Sequence, residues 1–162
     1  MRPEAPGRGQ ESVWDYPRPP RLEATGELVE IVLGGVVVAR SRAALRVLGT
    51  SHPPSYYLPP GDFAEGALRP AEGSSWCEWK GDAAYLDVLG GGLVAARAGW
   101  CYPEPTPPYE ALAGYVAVYP GRMDRCTVDG EVVRPQAGDF YGGWITSRVV
   151  GPFKGEPGTR FW

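Results

Sequence analysis

Apolar positions along the chain come in short runs, and Gly or Pro interrupts them every ten residues or so, which predicts strands rather than helices. The first clear element is Leu28–Leu33, followed by Gly34-Gly35 and then Val36–Arg40. A two-residue Gly-Gly link between β-branched runs predicts a hairpin with a primed turn. Ser41 then suits the N-cap of a short helix over Arg42–Leu48, with Ala44, Leu45 and Leu48 on one face and Arg42 and Arg46 four apart on another. His52-Pro53-Pro54 forces extended backbone into a strand over Ser55–Leu58, closed by Pro59-Pro60.

A second hairpin is predicted from Ala84–Leu89, Gly90-Gly91-Gly92 and Leu93–Arg97, and its turn echoes the first. Another echo pairs Trp14-Asp15-Tyr16-Pro17-Arg18-Pro19 with Trp100-Cys101-Tyr102-Pro103-Glu104-Pro105, each an aromatic pair entering polyproline backbone. After a short turn near Glu110–Leu112, Gly114–Tyr119 reads as a central strand. Cys126–Val128 and Glu131–Val133 then form a third hairpin around Asp129-Gly130. From Pro135 onward the chain carries Phe140, Tyr141, Trp144, Phe153, Phe161 and Trp162, too many aromatics for an idle linker. This tail is expected to lie against the domain or against a neighbouring subunit. The pattern therefore predicts a mainly β, single compact domain of hairpins with one or two short helices. Residues 1–25 form a Pro-rich N-terminal segment, 26–134 the core and 135–162 an irregular C-terminal arm.

Composition changes this picture little. The 162 residues include 23 Gly and 18 Pro, a fraction that would suggest disorder were the chain not also 43% hydrophobic and 12% aromatic. A net charge of −3 without a basic tract argues against nucleic acid and against anionic membrane as partners. The longest apolar stretch, around Val36–Ala39, is far too short to span a bilayer. The odd count of scattered cysteines (Cys77, Cys101, Cys126) does not make a disulfide framework, and the first residues have no apolar leader. A cytoplasmic protein is expected.

Candidate chemistry is sparse. Lys80, in Trp79-Lys80-Gly81, is a cation that a glycine-permitted bulge could turn into a cleft, although a solvated lysine with its stem on aromatic surface fits the residues too. Tyr56 and Tyr57 are neighbours on one strand, so one enters the core while the other can offer a hydroxyl to a site. Tyr85 carries the same ambiguity, and Trp100 and Tyr102 suit either packing or a site wall. His52 is the only histidine, so any imidazole acid–base chemistry depends on it, and a two-His metal site is impossible. The cysteines lack the close pairs that structural zinc uses, so neither a metal nor a cofactor is expected. Cys77, three residues before Lys80, is the least implausible thiol nucleophile, with a buried inert thiol the plainer alternative. Phe153-Lys154-Gly155 repeats the Trp79-Lys80-Gly81 pattern, and Lys154 reads as an exposed lysine, with a second phosphate-type contact as the alternative. No phosphate loop, dinucleotide fingerprint or nucleophile elbow occurs, and the glycine-rich spots are hairpin turns.

Four stretches carry a family resemblance: Ser51-His52-Pro53-Pro54-Ser55-Tyr56-Tyr57-Leu58-Pro59-Pro60, Cys77-Glu78-Trp79-Lys80-Gly81-Asp82-Ala83-Ala84-Tyr85, Ala98-Gly99-Trp100-Cys101-Tyr102-Pro103-Glu104-Pro105 and Ala113-Gly114-Tyr115-Val116-Ala117-Val118-Tyr119. Between about Leu28 and Val133 the chain resembles the domain-of-unknown-function family 427, also labelled nucleotidyltransferase-like, and the tail looks like an actinobacterial-type extension of it. The resemblance implies a small β-rich fold similar to the β-tent group, with a small barrel or sandwich as its alternatives, often dimeric, and no established reaction. Together these readings point to a cleft near Lys80 that binds a small polar or anionic molecule, built from Tyr56, Tyr57, Trp79, Lys80, Tyr85, Trp100 and Tyr102. Two other functions stay open. One is an enzyme on a small metabolite using Lys80, His52 and Tyr56; the other is a homodimeric interaction module.

Overall fold

A computed structural model describes residues 1–138, 140–159 and 162, which excludes Phe161 of the expected aromatic tail. The chain opens with β1 (Glu11–Ser12), β2 (Arg21–Ala24), β3 (Val29–Leu33), β4 (Val36–Ser41), β5 (Leu45–Leu48) and β6 (Ser55–Tyr57). The long strands follow: β7 (Leu68–Cys77), β8 (Gly81–Gly90) and β9 (Leu93–Cys101). The remainder is β10 (Val116–Val118), β11 (Arg125–Val128), β12 (Glu131–Val132), β13 (Arg134–Pro135), β14 (Trp144–Ile145) and β15 (Val149–Val150). The fold is mainly β, as the hydrophobic pattern predicts. Helical structure among the described residues is confined to four short 3-10 segments, Val13–Asp15, Pro60–Asp62, Pro107–Leu112 and Pro120–Arg122. No helix there is long and apolar enough to cross a membrane.

The strands form open sheets rather than a barrel. Two have four strands each, in the orders β10-β9-β8-β7 and β12-β11-β3-β4, and a third runs β2-β5-β6. All three predicted hairpins are present, with Leu33↔Val36, Gly90↔Leu93 and Val128↔Glu131 as the closing pairs. The first two tips pack backbone against backbone: a Cβ on Gly34 or on Gly91 would overlap the other turn. This contact explains why the same glycine-rich turn occurs twice.

The helix expected over Arg42–Leu48 is not formed. Ser41 does cap a turn, its Oγ accepting from the Ala43 N–H at 3.0 Å and donating to Asp62 at 2.6 Å. The next residues, however, become β5, the middle strand of its sheet. Alternation decides the outcome. Leu45 and Val47 join a cluster with Tyr57 and Trp100, while Leu48 packs on the opposite side with Val13 and Ile145. A helix would bury only one of these faces, whereas a central strand buries both. Arg46, which the expected helix sets on a face apart from its apolar one, is fully buried in consequence.

The main core is built from Val29, Ile31, Val38, Tyr56, Leu58, Val88, Val116, Val118, Cys126 and Trp144. A second, more aromatic cluster gathers Tyr57, Trp100, Tyr102, Tyr109 and Leu112. Chain ends meet in a third: β1 runs parallel to β15, and Val13, Tyr16, Leu48, Ile145, Val149 and Phe153 pack beneath them. The tail thus lies on its own domain, and its Trp144 reaches the main core.

Candidate functional site

The second cluster floors a cleft of about 650 Å³. Strand periodicity puts it there. Tyr57 and Tyr56 leave β6 on opposite faces, Tyr57 to the cleft and Tyr56 to the main core, where it stacks against Trp144 at 5.0 Å and donates to Glu27 at 3.2 Å. On β9, Trp100 turns to the cleft. Its indole N–H donates to the Tyr57 hydroxyl at 3.0 Å, and its ring lies 4.6 Å from that of Tyr119. Burial raises the pKa of both Tyr57 and Tyr102, so they stay protonated and act only as neutral hydrogen-bonding groups.

Lys80 and Trp79 occupy the turn between β7 and β8, which the Thr106 hydroxyl ties down by donating to the Trp79 carbonyl at 2.5 Å. The Lys80 ammonium lies 5.5 Å from the centre of the Tyr102 ring, a cation–π contact that holds it at the cleft wall. Of the residues singled out in the sequence, His52, Tyr57, Trp79, Lys80, Tyr85, Trp100 and Tyr102 all line the cleft; Tyr56 does not. Cys77 lines it too, while Cys101 is half-buried beside the main core and Cys126 lies within it. Sequence reasoning missed Arg18, Trp76, Tyr119 and Gln136, and it assigned Phe140 and Tyr141 to the tail but not to the site. For Phe140 and Tyr141 the signal was the crowding of aromatics in a tail expected to pack on the domain.

His52 is held in one protonation state by its neighbours. Gly143 N–H donates to Gln136 Oε1 at 3.1 Å, which identifies the other end of that amide as the NH₂ group. Gln136 Nε2 then donates to the Lys154 carbonyl at 2.7 Å and to His52 Nδ1 at 3.0 Å. The imidazole must therefore carry its proton on Nε2. Burial, followed by the positive charges of Lys154, Arg18 and Lys80, pushes its pKa down to about 4, so the ring is neutral at pH 7. Lys154 corrects the expectation of an exposed lysine: it is buried, its ammonium donating to the carbonyls of Thr159 and, at 3.3 Å, Trp162. Arg18 and Lys80 form no ion pair with a carboxylate among the described residues.

A family model described as "Domain of unknown function (DUF427)" matches residues 21–129. The chain belongs to this family. Its matched span holds most of the cleft wall, from Val47 to Tyr119, whereas Arg18, Gln136, Phe140 and Tyr141 come from the flanking segments. No functionally curated protein matches the chain.

Proposed function

We propose that this DUF427 protein binds a small anionic ligand in the cleft beside Lys80. The observation that carries the reading is the gathering of three basic side chains, Arg18, His52 and Lys80, in one aromatic cleft of a chain of net charge −3. Two of them, Lys80 and Arg18, are unpaired among the described residues and free to meet an anion. The neutral His52 adds an Nε2–H donor, and a carboxylate or phosphate accepts from both kinds of group. The cleft volume falls in the range of small-molecule sites, roughly 300–1,000 Å³. Three free thiols fit a ligand met in a reducing cytoplasm.

Catalysis by Lys80, His52 and Tyr56 together is less well supported, because Tyr56 faces the core across the strand from the other two. A homodimeric module built on the tail is also disfavoured, since the tail packs on its own domain. Thermal-shift titration with inorganic phosphate and small carboxylates, on the parent and Lys80→Ala side by side, tests the proposal. A stabilisation that disappears in the variant is the expected result. No shift with any anion at millimolar concentration overturns it.

A further inference from the structure

The rim of the same cleft carries an anomaly. Trp76 is 73% exposed, Phe140 77% and Trp79 40%. These three are among the largest apolar groups the chain leaves in water, and all line this one cleft although they come from β7, the β7–β8 turn and the tail. Isolated apolar residues on a surface need no explanation, but large aromatic rings drawn from separate segments to one opening do. The floor beneath them is aromatic too, with Tyr85, Trp100 and Tyr119. The Arg97 guanidinium covers one face of the Tyr85 ring at 4.5 Å, whereas the rings at the rim stand exposed as stacking surfaces.

We infer that the ligand is a flat aromatic ring system bearing a single anionic group. The ring lies against Trp76 and Trp79, and the anion reaches Lys80 and Arg18. This inference rests on the anion-binding reading and adds the ring to it. Charge decides against the other occupant that an aromatic cleft suits. Among the described residues of this wall, a quaternary ammonium would meet two cations without a carboxylate partner, Arg18 and Lys80, against one exposed carboxylate, Glu78. An aliphatic anion would leave the rim aromatics without a partner. An aryl anion satisfies both features, since indole faces stack on any π-system while the ammonium and guanidinium take the charge.

Three probes separate the parts: 2-naphthyl phosphate, inorganic phosphate and 2-naphthol, each titrated by calorimetry into the full chain, into Trp76→Ala and into Lys80→Gln. Trp76 is exposed and makes no side-chain hydrogen bond among the described residues, so its truncation leaves the fold intact, and cooperative thermal unfolding of both variants verifies this. The aryl phosphate is expected to bind at least about tenfold more tightly than either fragment, by the usual worth of an aromatic stacking contact. Trp76→Ala should weaken it by about fivefold or more and leave inorganic phosphate unaffected, whereas Lys80→Gln should weaken both phosphates. Equal affinity for the aryl and inorganic phosphates, with Trp76→Ala silent, overturns the aromatic inference and spares the anion site. Equal affinity for 2-naphthol and the aryl phosphate, or no binding of any anion, overturns the anion reading itself. A rim that binds none of the three but drives self-association lost in Trp76→Ala overturns both.

Discussion

At the scale of single residues, buried charge is the most consequential feature of the chain. Arg46 is fully buried, and its guanidinium donates to Glu11 at 2.6 Å, to Glu23 at 2.7 Å and to the Tyr16 hydroxyl at 3.3 Å. Arg148 closes the group by pairing with Glu27 at 2.7 Å. Removing one partner strands the others, so Arg46→Ala should cost about 3 kcal/mol in urea denaturation, with Arg46→Lys restoring part of it. Burial raises the Glu11 pKa, but the Arg46 hydrogen bond and charge, the Tyr16 hydroxyl and Arg148 outweigh it, and the net shift is downward. A carboxyl lowered on folding stabilises fully above its unfolded pKa and loses that contribution as the pH falls through its folded value. His52 has the same sign for a different reason. Its folded pKa of about 4 lies below the ordinary 6.5, so the unfolded chain takes up the proton first, and stability drains away between pH 6.5 and pH 4. Thermal unfolding across that window should show a slope that His52→Gln flattens, while the parent and variant curves should run parallel above pH 7.

Elements were legible where turn chemistry was local, and obscure where burial on two faces decided. The three hairpins follow from Gly-Gly and Asp-Gly alone, because a primed turn needs positive φ and these residues supply it. By contrast, Arg42–Leu48 has a helical spacing of apolar positions, and only the neighbours β2 and β6 show that both faces of β5 are buried. The whole of β7 escaped notice for a related reason: it carries Pro70 and Gly73 on an edge strand, and its pairing with β8 shifts register between Pro70 and Ser74. The site was partly legible. Strand alternation at Tyr56-Tyr57 required one ring in the core and one in a site, but nothing local said which. Arg18 and Gln136 lie 118 positions apart and meet only through the fold. The packed hairpin tips offer a test at this scale. Gly35 has φ of +77° with open space around it, so Gly35→Ala should cost about 1 kcal/mol, the usual left-handed penalty. Gly34→Ala and Gly91→Ala add a backbone overlap between the tips and should cost at least about 2 kcal/mol more, read as a fall in urea midpoint.

Across the whole molecule, the segments outside the family match complete both the core and the cleft. Residues 21–129 alone lack Glu11 for Arg46, Trp144 for the main core and the Gln136 amide that orients His52. Trp144 has no substitute: it is 1% exposed, its indole N–H donates to the Val118 carbonyl at 3.3 Å, and its own backbone N–H donates to Pro54 at 2.7 Å. Trp144→Ala should therefore destabilise by about 3–5 kcal/mol. Cutting the chain after Val133 removes this ring together with β14 and β15, and it leaves β1 without its parallel partner. The cut chain should unfold at a lower urea concentration and with a shallower slope than the parent, because a core that is already wet exposes less new surface on unfolding. Ligand binding should separate the two roles of the tail. If it served only as a structural brace, Tyr141→Ala would leave anion affinity unchanged, since the ring lies half-exposed, 5.2 Å from the His52 imidazole. A tail that helps to form the site predicts the opposite: weaker binding in Tyr141→Ala at nearly unchanged stability, measured by calorimetry with the same aryl phosphate.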